Sequence, residues 1–144
     1  MTPTLLSKAI KDFIEKLFSD AVTVKPSVYE GYLPKRTVEN QDEPDYPFIL
    51  VRMTKGKQTD DAHAVIVKLI VGVKAIDEAE FLNALNVMDR VRIAFSRQRV
   101  LASQFRLELP FEWELFEEQP HPEYLGQAIM NWTLPSVTEE VEGI

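Results

Sequence analysis

The sequence predicts an α+β domain: an antiparallel β-sheet with two helices packed on one face. Three observations carry this. Two stretches repeat apolar residues at helical spacing, several others alternate or run continuously apolar at strand length, and their order is helix, strands, helix, strands. The 144 residues fall within the usual size of one domain. A chain this long buries roughly two thirds of its unfolded surface, enough for a core without covalent staples.

The first helix is announced by Thr2-Pro3, an N-cap followed by proline at the first helical position. Leu6, Ala9, Ile10, Phe13 and Leu17 then recur on one stripe, which predicts an amphipathic helix over residues 3–19. Val24, Val28 and Tyr29 predict a short strand interrupted by Pro26. The next segment, "KRTVENQDEPDYP" (Lys35 to Pro47), is polar, charged and closed by prolines. It can bury little apolar surface alone, so the expectation is a mobile loop that orders on assembly.

"FILVRM" (Phe48 to Met53) and "AVIVKLIVGV" (Ala64 to Val73) are almost continuously apolar and β-branched. Such runs read as central strands covered on both faces, or covered in an assembly. "TKGKQTDDAH" between them predicts an antiparallel hairpin with a flexible, charged tip. Asp77 and Glu80 have capping-box spacing and open a second helix. Its stripe is Phe81, Ala84, Leu85, Met88, Val91 and Phe95, and it ends near Arg97. Arg90, Arg92, Arg97 and Arg99 lie on its flanks or at its end, where positive charge suits the helix dipole.

"FRLELPFEWELFEEQPHPEYLG" (Phe105 to Gly126) then concentrates carboxylates with a histidine. Phe105, Leu107, Leu109, Phe111, Trp113 and Leu115 alternate with Arg106, Glu108, Pro110, Glu112 and Glu114, which is a strand with one apolar and one wet face. The aromatics Phe111 and Trp113 are expected to face the helices, and Glu112 and Glu114 solvent or a neighbouring subunit. Pro110 cannot donate a ladder hydrogen bond, so it marks an edge, a bulge or a break. "YLGQAIMNWTLP" (Tyr124 to Pro135) is the last strand, with Tyr124, Gly126, Ala128, Met130, Trp132 and Leu134 on one face. Residues 1–137 read as a single domain and residues 138–144 as a flexible acidic tail.

Composition removes several classes of chemistry. With no cysteine there is no disulfide, thiolate nucleophile or cysteine-ligated zinc, which fits a reducing cytoplasm. A net charge of -7 argues against broad binding to nucleic-acid backbones. No apolar run approaches the roughly 20 residues of a membrane span, and no signal-peptide core is expected at the N-terminus. His63 lies beside Asp60 and Asp61, and His121 near Glu117, Glu118 and Glu123, but neither has the helical spacing that would hold two metal ligands together. No serine sits in a nucleophile elbow, and no glycine-rich stretch cradles phosphate. Exposed alternating glutamates do not supply the raised pKa that acid–base work needs. The expectation is therefore a chain that is not an enzyme, with no catalytic residue, metal or cofactor. An acidic regulator imitating DNA and a small enzyme using His121 with nearby carboxylates remain the rival readings.

The strings "YPFILVRM", "AVIVKLIVGV", "LNVMDRVRIAF" and "FRLELPFEWELFEEQPHPEYLGQAIMNWTLP" resemble the tail terminator, or tail-completion, proteins of long-tailed phages and prophages. The resemblance spans about Tyr46 to Pro135. It implies a non-enzymatic virion protein, made in the bacterial host cytoplasm, that forms a ring, typically a hexamer. Such a ring terminates the tail tube and joins it to the head connector; DNA passes through without specific binding, and no membrane is involved. Head–tail stopper and adaptor proteins are the neighbouring alternative. The candidate contacts with sister subunits or partners are the charged residues of the two loops and of the wet strand with its turn. These are Lys35, Arg36, Glu39, Asp42, Lys55, Lys57, Asp60, Asp61, Glu112, Glu114, Glu117, Glu118 and His121.

Overall fold

The computed structural model describes residues 2–19, 25–32, 47–74, 78–116 and 123–135. Helix α1 (Pro3–Leu17) starts where the sequence places it. Thr2 has extended backbone, and its Oγ1 accepts a hydrogen bond from the Leu5 N–H at 3.3 Å. Leu6, Ile10 and Ile14 form its buried stripe. Helix α2 (Glu78–Arg97) buries Met88, Val91 and Phe95. Arg90 of α2 donates to the Leu17 carbonyl at 3.0 Å and lies over the Phe18 ring, so a cation closes the C-terminal end of α1.

The strands are β1 (Ser27–Glu30), β2 (Phe48–Gln58), β3 (Ala62–Lys74), β4 (Val100–Leu101), β5 (Phe105–Leu115) and β6 (Glu123–Pro135). They form one sheet in the order β1-β2-β3-β6-β5-β4. The sheet is mixed rather than purely antiparallel, because β1 pairs parallel to β2, with Ser27 beside Phe48. A parallel neighbour needs a crossover of about a dozen residues or more, and the chain between β1 and β2 is long enough to supply one. All other pairs are antiparallel.

One face of the sheet carries Val28, Ile49, Val51, Val65, Val67, Leu69, Val71, Leu107, Ala128, Met130, Trp132 and Leu134. Both helices pack on it, and together they make one core. Phe95 joins the layers: its ring meets Phe13 of α1 at 4.6 Å and the edge of Trp132 at 5.8 Å. The last strand has the register its alternation predicts.

Three local expectations are corrected. The β2–β3 hairpin has a tight turn, closed by the Thr59 N–H donating to the Ala62 carbonyl at 2.8 Å. Lys55 and Lys57 are therefore strand residues, not part of a flexible tip, and a bulge between Met53 and Lys55 absorbs the irregularity. In β3 burial alternates from Val65 to Ile70, so Ile66 and Ile70 are not covered on both sides, while Val71, Gly72 and Val73 are buried in succession. The third correction concerns β5. Its alternation is interrupted by a bulge between Glu108 and Glu112, which contains the cis Leu109–Pro110 peptide. Beyond it Trp113 pairs with Ala128 and so shares the helix-bearing face, but the helices leave it uncovered and it is 47% exposed. Trp113 is not a core residue. The buried tryptophan is Trp132.

Candidate assembly surface

The other face of the sheet has no helix on it among the described residues. Cross-strand register assembles it row by row. Arg52, Lys68, Ile129 and Glu112 form one row; Leu50, Ile70, Gln127 and Glu114 the next; Lys55, Ile66, Asn131 and Glu108 another. These three rows run from an apolar or basic residue on β2, through a half-buried middle, to a carboxylate on β5; the row of Lys57, Ala64 and Thr133 ends instead in Arg106. Phe48 and Leu50 are nevertheless only 3% and 4% exposed on this uncovered face. Phe48 achieves this by lying across Gly72, its cross-strand partner.

The face is electrically polarised. Arg52, Lys55, Lys57 and Lys68 sit on the β2–β3 side, and Glu108, Glu112 and Glu114 on the β5 side. Glu108 is held by Arg106 at 3.6 Å, Arg99 at 3.8 Å and the Thr133 hydroxyl at 3.3 Å. Glu114 accepts from the Gln127 amide. Arg52 stacks over Tyr32 and donates to the Gly31 carbonyl. Lys55, Lys57 and Glu112 have no partner among the described residues. Surface charges in such arrays contribute little to folding, since an exposed pair is worth about 0–1 kcal/mol. Where such an array meets a partner, it acts on choice and orientation more than on folding.

Both edges of the sheet are half covered. On the outside of β2, β1 pairs only with Phe48–Val51, and Arg52–Gln58 has no ladder neighbour among the described residues. On the outside of β5, β4 pairs with Phe105 and Arg106, and Arg99 caps Leu107 by accepting from its N–H and donating to its carbonyl. From Glu108 to Leu115 the outer side is open among the described residues. An open groove lined by Phe111, Glu112, Trp113, Glu114, Gln127 and Ile129 lies along this stretch. Leu109 at 56% exposure flanks it. Apolar side chains on an open strand edge are the usual mark of a pairing surface.

Of the residues singled out from sequence, Lys55, Lys57, Glu112 and Glu114 fall on this one sheet face. Asp60 and Asp61 sit exposed at the hairpin turn. Lys35, Arg36, Glu39, Asp42, Glu117, Glu118 and His121 lie outside the described residues, as do the proposed mobile loop and acidic tail. Arg52 and Lys68 belong to the face but escaped the sequence reading, because the register that places them is a tertiary property; Glu108, read as a wet-face residue of its strand, was not among the candidate contacts. Among the described residues no three histidine, aspartate or glutamate side chains converge. No described helix is long and apolar enough to cross a membrane.

No protein-family model and no curated protein matches the chain. Solved structures do. One, of a protein identified only by a sequence number, superposes with a TM-score of 0.65 at 10% identity, covering 96% of this chain and 99% of that chain. Another, a chain of the virion of a native gene transfer agent particle, superposes with a TM-score of 0.51 at 15% identity, covering 91% and 95%. What is shared is the fold. The likeness runs nearly the whole length of both partners.

Proposed function

We propose that the chain is a non-enzymatic structural protein of a phage or prophage, which forms a ring that closes the end of the tail tube and joins it to the head connector. The observation that carries this reading is the near full-length fold similarity to a chain of a gene transfer agent virion. It agrees with the phage-protein resemblance of the sequence strings. The surface supports it too. A sheet with two half-covered edges and a polarised face that no described helix covers is suited to repeated contacts with copies of itself. Contacts between two different patches, repeated around an axis, close into rings. A net charge of -7 lets DNA pass such a ring without adhering, because like charge opposes phosphate binding.

Deleting the gene from a producing strain and imaging the particles tests the assignment. Tail tubes of uncontrolled length, rescued by the purified protein, are expected. Tubes of normal length beside filled heads that fail to join would indicate a stopper or adaptor role instead. Normal joined particles would contradict the proposal.

A further inference from the structure

We infer that copies of this chain join edge to edge, the free half of β2 in one copy pairing antiparallel with the free half of β5 in the next, with Gly56 opposite Trp113. The inference rests on the ring reading above and specifies the contact that builds the ring.

Four independent features of the two edges agree on this register. The first is direction. In the order β1-β2-β3-β6-β5, the antiparallel pairings make β2 and β5 run oppositely. A copy placed beside β5 with the same face forward therefore presents its β2 antiparallel to β5. The second is hydrogen-bond phase. The Thr59 N–H points inward to Ala62, so Lys57 and Lys55 also bond inward to β3, and Gly56 turns its N–H and C=O outward. The Phe116 N–H points inward to Leu125, so Glu114 bonds inward and Trp113 turns outward. Gly56 and Trp113 are thus both free to exchange a pair of backbone hydrogen bonds.

The third feature is side-chain chemistry. With Gly56 opposite Trp113, Lys57 stands opposite Glu112 and Lys55 opposite Glu114, all four on the uncovered face. Opposite charges directly across a ladder stabilise the pair, and like charges oppose it. On the other face the half-exposed Trp113 indole meets Gly56, which has no side chain and is bordered by the His63 imidazole, its Nε2 3.1 Å from where a Cβ would stand. The fold already contains that arrangement once, in Phe48 lying across Gly72. The fourth is clearance. Thr54–Gln58 then spans Phe111–Leu115, so β1 of the incoming copy falls past the end of β5, and β4 falls past the end of β2. The open stretches lie toward opposite ends of the sheet, so neighbouring copies are staggered along the strands. Such a stagger is what a sheet needs to close on itself.

The chain lacks cysteine, so introduced thiols are unique. Within one molecule residues 57 and 112 lie three strand spacings apart, about 14 Å, too far for a disulfide. A mixture of Lys57→Cys and Glu112→Cys chains, oxidised at low micromolar concentration, is expected to give a disulfide-linked dimer well above the yield of either chain alone. Shifting one partner to Glu108→Cys should abolish it. Charge reversal gives a second readout by light scattering, with folding confirmed by circular dichroism. Lys55→Glu/Lys57→Glu and Glu112→Lys/Glu114→Lys chains should each stay monomeric, and mixing them, or combining all four changes in one chain, should restore assembly. A ring that forms without the cross-link and is indifferent to both charge reversals overturns this interface while leaving the ring reading intact. Cross-linking without a closed ring supports the interface and counts against the ring. A wild-type chain that does not assemble, together with Lys57→Cys and Glu112→Cys chains that do not cross-link, overturns both.

Discussion

The Phe48 ring lies across Gly72 on the neighbouring strand and fills the space a side chain there would need. This contact keeps a phenylalanine almost fully buried on a sheet face that no described helix covers. Gly72 is thus demanded by packing, not by an unusual backbone angle. Gly72→Val is predicted to destabilise the monomer by about 1–3 kcal/mol or more, since the ring must leave its site or the strands must part. Urea unfolding measures it; a midpoint equal to wild type would show that the ring has a second resting place.

The two tryptophans should behave oppositely. Trp132→Ala removes a fully buried ring that Phe95 contacts edge-on, and is predicted to cost about 3–5 kcal/mol. Trp113→Ala removes a half-exposed ring and should change the midpoint little, within about 1 kcal/mol, while weakening self-association. Thermal unfolding of the two variants side by side distinguishes them. Equal losses would place Trp113 in the core after all.

Much of this fold was legible in the chain, and the misreading of Trp113 shows where legibility stops. Alternation assigns a residue to a face, and the register agrees that Trp113 and Ala128 share one. Whether anything covers that part of the face depends on how far the helices reach, which no strand pattern encodes. The Pro110 bulge was readable because a missing N–H is a local fact. The helix start at Thr2-Pro3 and the face of the last strand were readable for the same reason. The parallel β1–β2 pair was not, because which strands pair, and in which direction, is not a local property of either. The polarised sheet face was visible only in parts. Lys55, Lys57, Glu112 and Glu114 stood out as charges, but only the β2-β3-β6-β5 order puts bases at one edge and acids at the other.

Neutralising the acidic edge should separate folding from assembly. Glu112→Gln/Glu114→Gln removes two exposed charges and is predicted to leave the urea midpoint unchanged within about 0.5 kcal/mol. Self-association should weaken, and its dependence on salt should flatten, because attraction between exposed charges is screened beyond a Debye length of about 8–10 Å. Sedimentation at low and high salt reads both effects. Loss of folding in this variant would mean the carboxylates serve the monomer.

Native mass spectrometry of the purified chain, with negative-stain imaging, decides whether the ring forms. Across low to high micromolar concentration, a single closed species is predicted at one fixed multiple of the 16.5 kDa subunit, with a central opening in class averages. A monomer at every concentration, or open filaments of no fixed length, would contradict it.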